Sequence, residues 1–193
     1  MATDPAKRAP GALGVLHDFL DTVDIDAGTD EIPTPEALTA WLQSMGLAGA
    51  GTAATKRDLS AAVALRRALR TVLTAESGLD VDAAELAAAE REISRHALRV
   101  AWRPGGEPEL VPVAPGVAGA LAQIVAAIVP ARADGTWQRL KICPADPCAW
   151  VFYDRSKNQS RTWCSMAVCG NRAKTQAYRA RQSGNRHPHP AKV

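Results

Sequence analysis

The residues best suited to chemistry in this 193-residue chain are its four cysteines, Cys143, Cys148, Cys164 and Cys169. They form two C-x4-C pairs separated by 15 residues, and residues 1–142 contain no cysteine. Two close pairs at this separation fit a four-thiolate zinc site. Each pair presents two sulfurs from one turn, and the chain between them returns to complete a tetrahedron. Pro144 and Pro147 stiffen the first turn, and Gly170 is expected to supply backbone freedom after the last ligand. Two disulfides or four buried thiols are the competing readings. A segment of about 50 residues buries too little apolar surface to fold without a staple, which favours metal. The expectation is one structural Zn2+ per chain. Four thiolates close its shell and leave no open position for catalysis. His187 and His189 lie in a Pro-rich ending and are weaker candidates; His17 and His96 are expected on helix surfaces or core edges.

The charge is divided along the chain. Residues 1–140 carry 13 Lys and Arg against 18 Asp and Glu, net −5, whereas residues 141–193 carry 10 against 2, net +8. An acidic body with a basic end implies that the end meets a polyanion. Asp18, Asp21 and Asp24 interrupt the first apolar stretch, so no signal peptide is legible there. The longest apolar run, Val117 to Pro130, is shorter than the roughly 20 residues that span a bilayer. A cytoplasmic protein without a membrane partner is expected, and in that compartment disulfides are disfavoured.

Periodicity supplies the elements that must position the cysteines. Gly11–Val23 reads as a helix. Thr34, Pro35 and Glu36 open a second, whose apolar face is Leu38, Trp41, Leu42 and Met45 and which ends at Gly46. Leu59–Leu73 is a third, with Val63 among its inward residues and Arg66, Arg67 and Arg70 along a solvated edge. Asp82 caps a fourth, running to about His96, and Leu98–Trp102 with Leu110–Val113 forms a hairpin. Val117–Val129 carries a strong helical stripe, Ala133-Asp134-Gly135 is a plausible hinge, and Trp137–Ile142 leads as a strand into the cysteines. After Cys169, Asn171 to about Gln182 is a helix, with Ala173, Ala177 and Ala180 as a stripe suited to close packing. The fold class is therefore mainly α with a small β-hairpin. A helical N-terminal domain, 1–134, precedes a small zinc-stapled α+β finger, 135–193, whose Pro/His ending should fray.

The stretch Phe152-x-Asp154-x-Ser156-x-Asn158-x-Ser160-Arg161-x-Trp163-Cys164-Ser165-Met166-x-x-Cys169-Gly170-Asn171-Arg172-x-Lys174 resembles the CGNR zinc finger family, named for the tetrapeptide at 169–172. The preceding region is similar to the ABATE domain that accompanies this finger, on Phe19–Asp24 and on Thr34–Leu42. Asp21 stands where that family more often has Asn. The resemblance implies a bacterial-type, stress-responsive transcription regulator, with a DNA-binding finger joined to a helical domain that senses a signal.

Several basic residues could carry that function. Arg172 and Arg179 lie on one stripe of the last helix, Lys174 and Arg181 on another, where Arg has the geometry to read base edges. Arg155, Lys157 and Arg161, between the cysteine pairs, are expected on phosphates. For Arg161 and Arg172 the alternative is a structural role, with hydrogen bonds to thiolates or to Asp154. Trp150, Phe152 and Trp163 should form the finger's small core. The leading expectation is a zinc-dependent DNA-binding regulator whose body answers an unknown small-molecule or protein signal; homodimerisation is left open. The alternative is a zinc-stapled protein- or RNA-interaction module. No nucleophile–base pair, phosphate loop or open metal site supports an enzyme.

Overall fold

A computed structural model describes residues 8–102 and 104–184. The His187–Pro190 ending, expected to fray, lies outside the described residues. The described residues are mostly helical with three two-stranded antiparallel sheets.

Helix α1, Leu13–Leu20, is shorter than the expected Gly11–Val23, because the chain turns at Asp21 into a short hairpin, β1 (Val23–Asp24) with β2 (Thr29–Asp30). Helix α2 is Pro35–Ser44, with the Thr34 hydroxyl accepting the Ala37 N–H at 3.2 Å. Gly46, at φ +69°, takes the left-handed conformation that ends it. Helix α3, Lys56–Glu76, starts on a reciprocal cap: Thr55 Oγ1 accepts from Asp58 N–H while the Asp58 carboxylate accepts from Thr55 N–H. Asp82 accepts from Ala84 and Glu85 N–H and opens α4, Ala83–Ile93. Strands β3 (Leu98–Trp102) and β4 (Pro108–Pro112) pair in the next hairpin, with Val100 and Trp102 facing solvent.

The apolar stripe after this hairpin is not one helix. It forms α5, Gly116–Ala126, and α6, Ile128–Ala133. Pro130 has no N–H to give to the Ala126 carbonyl, so the ladder breaks there and Val129 points to solvent. By length and composition Gly116–Ala133 could cross a membrane. Here Val117, Leu121 and Ile124 are buried in the core.

That core gathers Leu13, Leu16, Phe19 and Leu20 of α1, Leu38 and Leu42 of α2, Leu65, Leu69 and Leu73 of α3, and the inner face of α5. Val63 lies outside it, 40% exposed. The core does not stop at residue 134. Trp137, 1% exposed, sits in a tight helical turn, Trp137–Arg139, where a strand was expected. Strand β5 (Leu140–Ile142) then pairs with β6 (Val151–Tyr153), and Leu140, Ile142, Val151 and Tyr153 all belong to the same core. The expected hinge is a bonded turn, in which the Asp134 carboxylate accepts from both the N–H and the hydroxyl of Thr136. Beyond β6, a widened helical turn, Met166–Gly170, runs directly into α7, Asn171–Gly184.

Candidate metal centre and basic helix

Strands β5 and β6 have two faces because side chains alternate along a strand. Leu140, Ile142, Val151 and Tyr153 face the helical body, while Phe152 turns the other way. It joins Cys143, Cys148 and Cys169, with Trp150 and Trp163 against them, as a second small core. The expected aromatic role is therefore met.

The four thiols converge, all within 4.8 Å of one another. Cys148 Sγ and Cys169 Sγ each lie 3.6 Å from Cys164 Sγ. Sulfurs sharing one tetrahedral zinc at about 2.3 Å stand roughly 3.8 Å apart, whereas a disulfide requires about 2.05 Å. The four cysteines are free thiols at zinc spacing, and the cluster fits one structural Zn2+. Burial pushes the Cys148 thiol up to about 11 and the Cys164 thiol up as well, so a metal arriving here displaces protons. Gly170 serves the site by close approach. Its backbone is not left-handed, so the expected backbone freedom is not used; an added Cβ would meet the Met166 sulfur and lie 3.3 Å from Trp163 Cδ1.

Asp154 organises the loop between the pairs. Its buried carboxylate accepts from Lys141 Nζ at 2.8 Å and from the N–H groups of Ser156 and Arg161 at 2.9 Å each. Burial opposes its charge, but these donors outweigh burial and hold its pKa below the ordinary carboxylate value. Arg161 turns inward: Nε donates to the Trp163 carbonyl at 2.9 Å, a terminal nitrogen to the Cys164 carbonyl, and the guanidinium lies 5.1 Å from the Phe152 ring centroid. Arg155 donates to the Arg8 carbonyl at 2.7 Å and stacks over Tyr153. Lys157 is exposed.

Helix α7 contrasts with this. From Lys174 to Gln182 every residue is exposed. Ala177 and Ala180, expected to pack closely, are exposed. Lys174, Arg179 and Arg181 are exposed along the helix, and Arg172 at its start reaches Asp26 of the β1–β2 hairpin at 3.4 Å.

A set of body residues that sequence reasoning placed elsewhere ties the finger down. Arg66 and Arg70, expected at a solvated edge, are buried, and Arg67 alone is exposed there. Arg66 binds Thr22 and both carboxylate oxygens of Asp30. Arg70 donates to the Leu20 carbonyl at 2.8 Å and to the carbonyl of Ala149, next to Cys148, at 2.5 Å. The β1–β2 hairpin and the first cysteine turn lie against α3 at this point and supply the acceptors that charge needs. His17 is also buried, 1% exposed. The Ala9 N–H donates to His17 Nδ1, so Nε2 carries the hydrogen and donates to the Val151 carbonyl at 3.2 Å. Asp21 Oδ1 accepts the Val151 N–H at 3.1 Å. One turn apart on the same helix face, His17 and Asp21 thus hold both polar groups of Val151. Burial raises the pKa of Asp21 against the hydrogen bonds that oppose it. Their i, i+4 spacing was the visible signal.

No curated protein matches the chain. Residues 139–182 match the CGNR zinc finger. Residues 14–135 match the ABATE family, described as "Putative stress-induced transcription regulator". That second match covers more than half of the sequence, and the chain belongs to the ABATE family, with a CGNR zinc finger following its helical body.

Proposed function

We propose that this chain is a cytoplasmic, zinc-dependent DNA-binding transcription regulator, in which α7 and the loop between the cysteine pairs meet DNA and the helical body senses a signal. One observation carries the reading: α7 starts two residues after the last cysteine, bears four cations and no acid, and is exposed over most of its length. At 14 residues it is about 21 Å long, enough to lie in a major groove. The zinc-stapled turn at its N-terminal end fixes its direction. We assign Lys157, Lys174, Arg179 and Arg181 to DNA, and Arg172 to DNA in exchange for Asp26. Arg155 and Arg161 act mainly by holding the loop. The assigned chemistry is recognition and not catalysis.

The test is fluorescence anisotropy of zinc-loaded protein on genomic duplex fragments over a salt series. Binding should weaken steeply with salt, because cations that neutralise phosphates release counterions. Arg179→Ala with Arg181→Ala should weaken it further. Absence of salt-sensitive binding to any duplex overturns the reading. Exposed Met166, Val168 and Tyr178 favour a second reading, a protein-docking surface on the same module. It would give capture that salt barely affects and that Tyr178→Ala abolishes.

A further inference from the structure

Helices α3 and α4 run side by side, yet a groove of about 470 Å³ remains between them. Its origin is in the sequence. Ala64 and Ala68 of α3 face Ala88 and Ala89 of α4, and four methyl groups cannot fill the space that leucines would. The volume falls in the ~300–1,000 Å³ range of small-molecule sites. The rim is charged: Arg67, Arg91 and Arg95 with Glu85 and Glu92. Arg95 is paired with Glu92 at 2.7 Å, and Glu85 accepts the Thr71 hydroxyl at 3.3 Å. Arg67 and Arg91 have no partner among the described residues. Two guanidiniums without a partner among the described residues thus line the groove beside its alanines.

We infer that this groove binds a small organic carboxylate, its flat apolar body on the alanine floor and its carboxylate between Arg67 and Arg91. Arg presents a planar fork that matches a carboxylate. An inorganic anion would leave the methyl floor wet. A neutral apolar molecule would leave both cations unused. Arg67, Thr71 and Glu85 also wall a neighbouring cavity of about 330 Å³ that extends to Ile142 and Ala149. A ligand here therefore lies beside the strand and turn that carry the first cysteine pair. This inference gives a ligand class to the sensing half of the proposed function and does not need DNA binding to be correct.

The experiment is ligand-observed NMR and calorimetry on the full zinc-loaded chain, with benzoate, benzyl alcohol and inorganic phosphate as probes. Benzoate should bind best. Arg67→Ala with Arg91→Ala should weaken it about tenfold or more, while Arg57→Ala, a cation of α3 outside the groove, leaves it unchanged. Ala88→Leu, at an exposed position where leucine leaves the core intact, should block benzoate by filling the floor. Benzoate binding that survives Ala88→Leu or the double arginine change overturns the site. Phosphate or benzyl alcohol binding as tightly as benzoate overturns the ligand class, and no binding by any probe overturns both. The same samples are assayed on duplex DNA, so loss of the DNA reading registers separately from failure of the groove.

Discussion

The two halves of the finger obey opposite physics. From Trp137 to Asp154 the chain is wedged into the helical body. Its strands are buried on one face against α1 and α3 and on the other against the cysteines, and its backbone is bonded to His17, Asp21, Arg70 and Ser77. From Arg155 onward the body contributes little beyond the Arg8 carbonyl and Asp26. Order there comes from the cysteines, Asp154 and Arg161, and from Arg139 and Lys141 of the first half, which donate to the Ser156, Gln159 and Arg161 carbonyls. One half of the metal site is thus built on a preformed platform, and the other half depends on the metal. This division fixes one end of the site against the helical body and leaves the helix at the other end exposed.

Metal removal should split the halves, with the largest effect of any perturbation. Structural zinc in small fingers contributes on the order of 10–16 kcal/mol of binding free energy. Chelation, or Cys164→Ser, should melt residues 155–184 while the amides of Ile142 and Val151 keep their hydrogen-exchange protection. Equal loss of protection in both halves would break the comparison. Acid should mimic chelation, because protons compete for thiols whose pKa burial raises.

Arg70→Ala should come next, at roughly 2–5 kcal/mol in denaturant melts, because it orphans two carbonyls, Leu20 and Ala149, in one step. The loss should reach the metal site, so the variant should release zinc faster to a chelator. Arg67→Ala, on the exposed side of the same helix, should stay within about 0.5 kcal/mol.

Asp154→Asn should cost about 1–3 kcal/mol, since it weakens three hydrogen bonds at once. Its pH dependence has a definite sign. The folded pKa lies below the unfolded value of about 3.9. The contribution is therefore complete above that value and is lost as pH falls through the folded pKa. Wild type and variant should differ by a constant amount from pH 6 to 8 (roughly the range of ordinary assays) and converge only in acid.

How much of this was legible before the structure depends on the range of each signal. The cysteine pairs, the Thr34 and Asp82 caps and the α7 boundary are local: each is fixed by residues a few positions apart. The roles of Arg70 and His17 were hidden, because their acceptors lie 79 and 134 residues away. A periodicity that places arginines beside a leucine face cannot say whether another element covers that edge. The break after Ala126 was available in Pro130, whose missing N–H leaves the Ala126 carbonyl without its helical donor, but the stripe through Val129 gives no sign of it. The exposure of Ala177 and Ala180 was not available, since small residues suit a close contact and an open surface equally.

Lys174→Ala with Arg181→Ala should have the smallest effect on stability and the most selective effect on function. Both side chains stand on the exposed half, so their loss should stay within about 0.5 kcal/mol. If each neutralises one phosphate, the slope of log affinity against log salt should fall by about 0.9 per residue, nearly 2 for the pair. A change in slope with unchanged melting identifies α7 as a contact surface. Unchanged slope with lost affinity would mean that these residues order the helix, and unchanged affinity would move the contact to Lys157 and the loop. Arg172 distinguishes the halves once more. Its ion pair with Asp26 joins the exposed helix to the acidic body. Asp26→Ala should therefore tighten duplex binding by a few-fold if that carboxylate stands in for a phosphate, an exposed pair being worth roughly 0.2–1 kcal/mol.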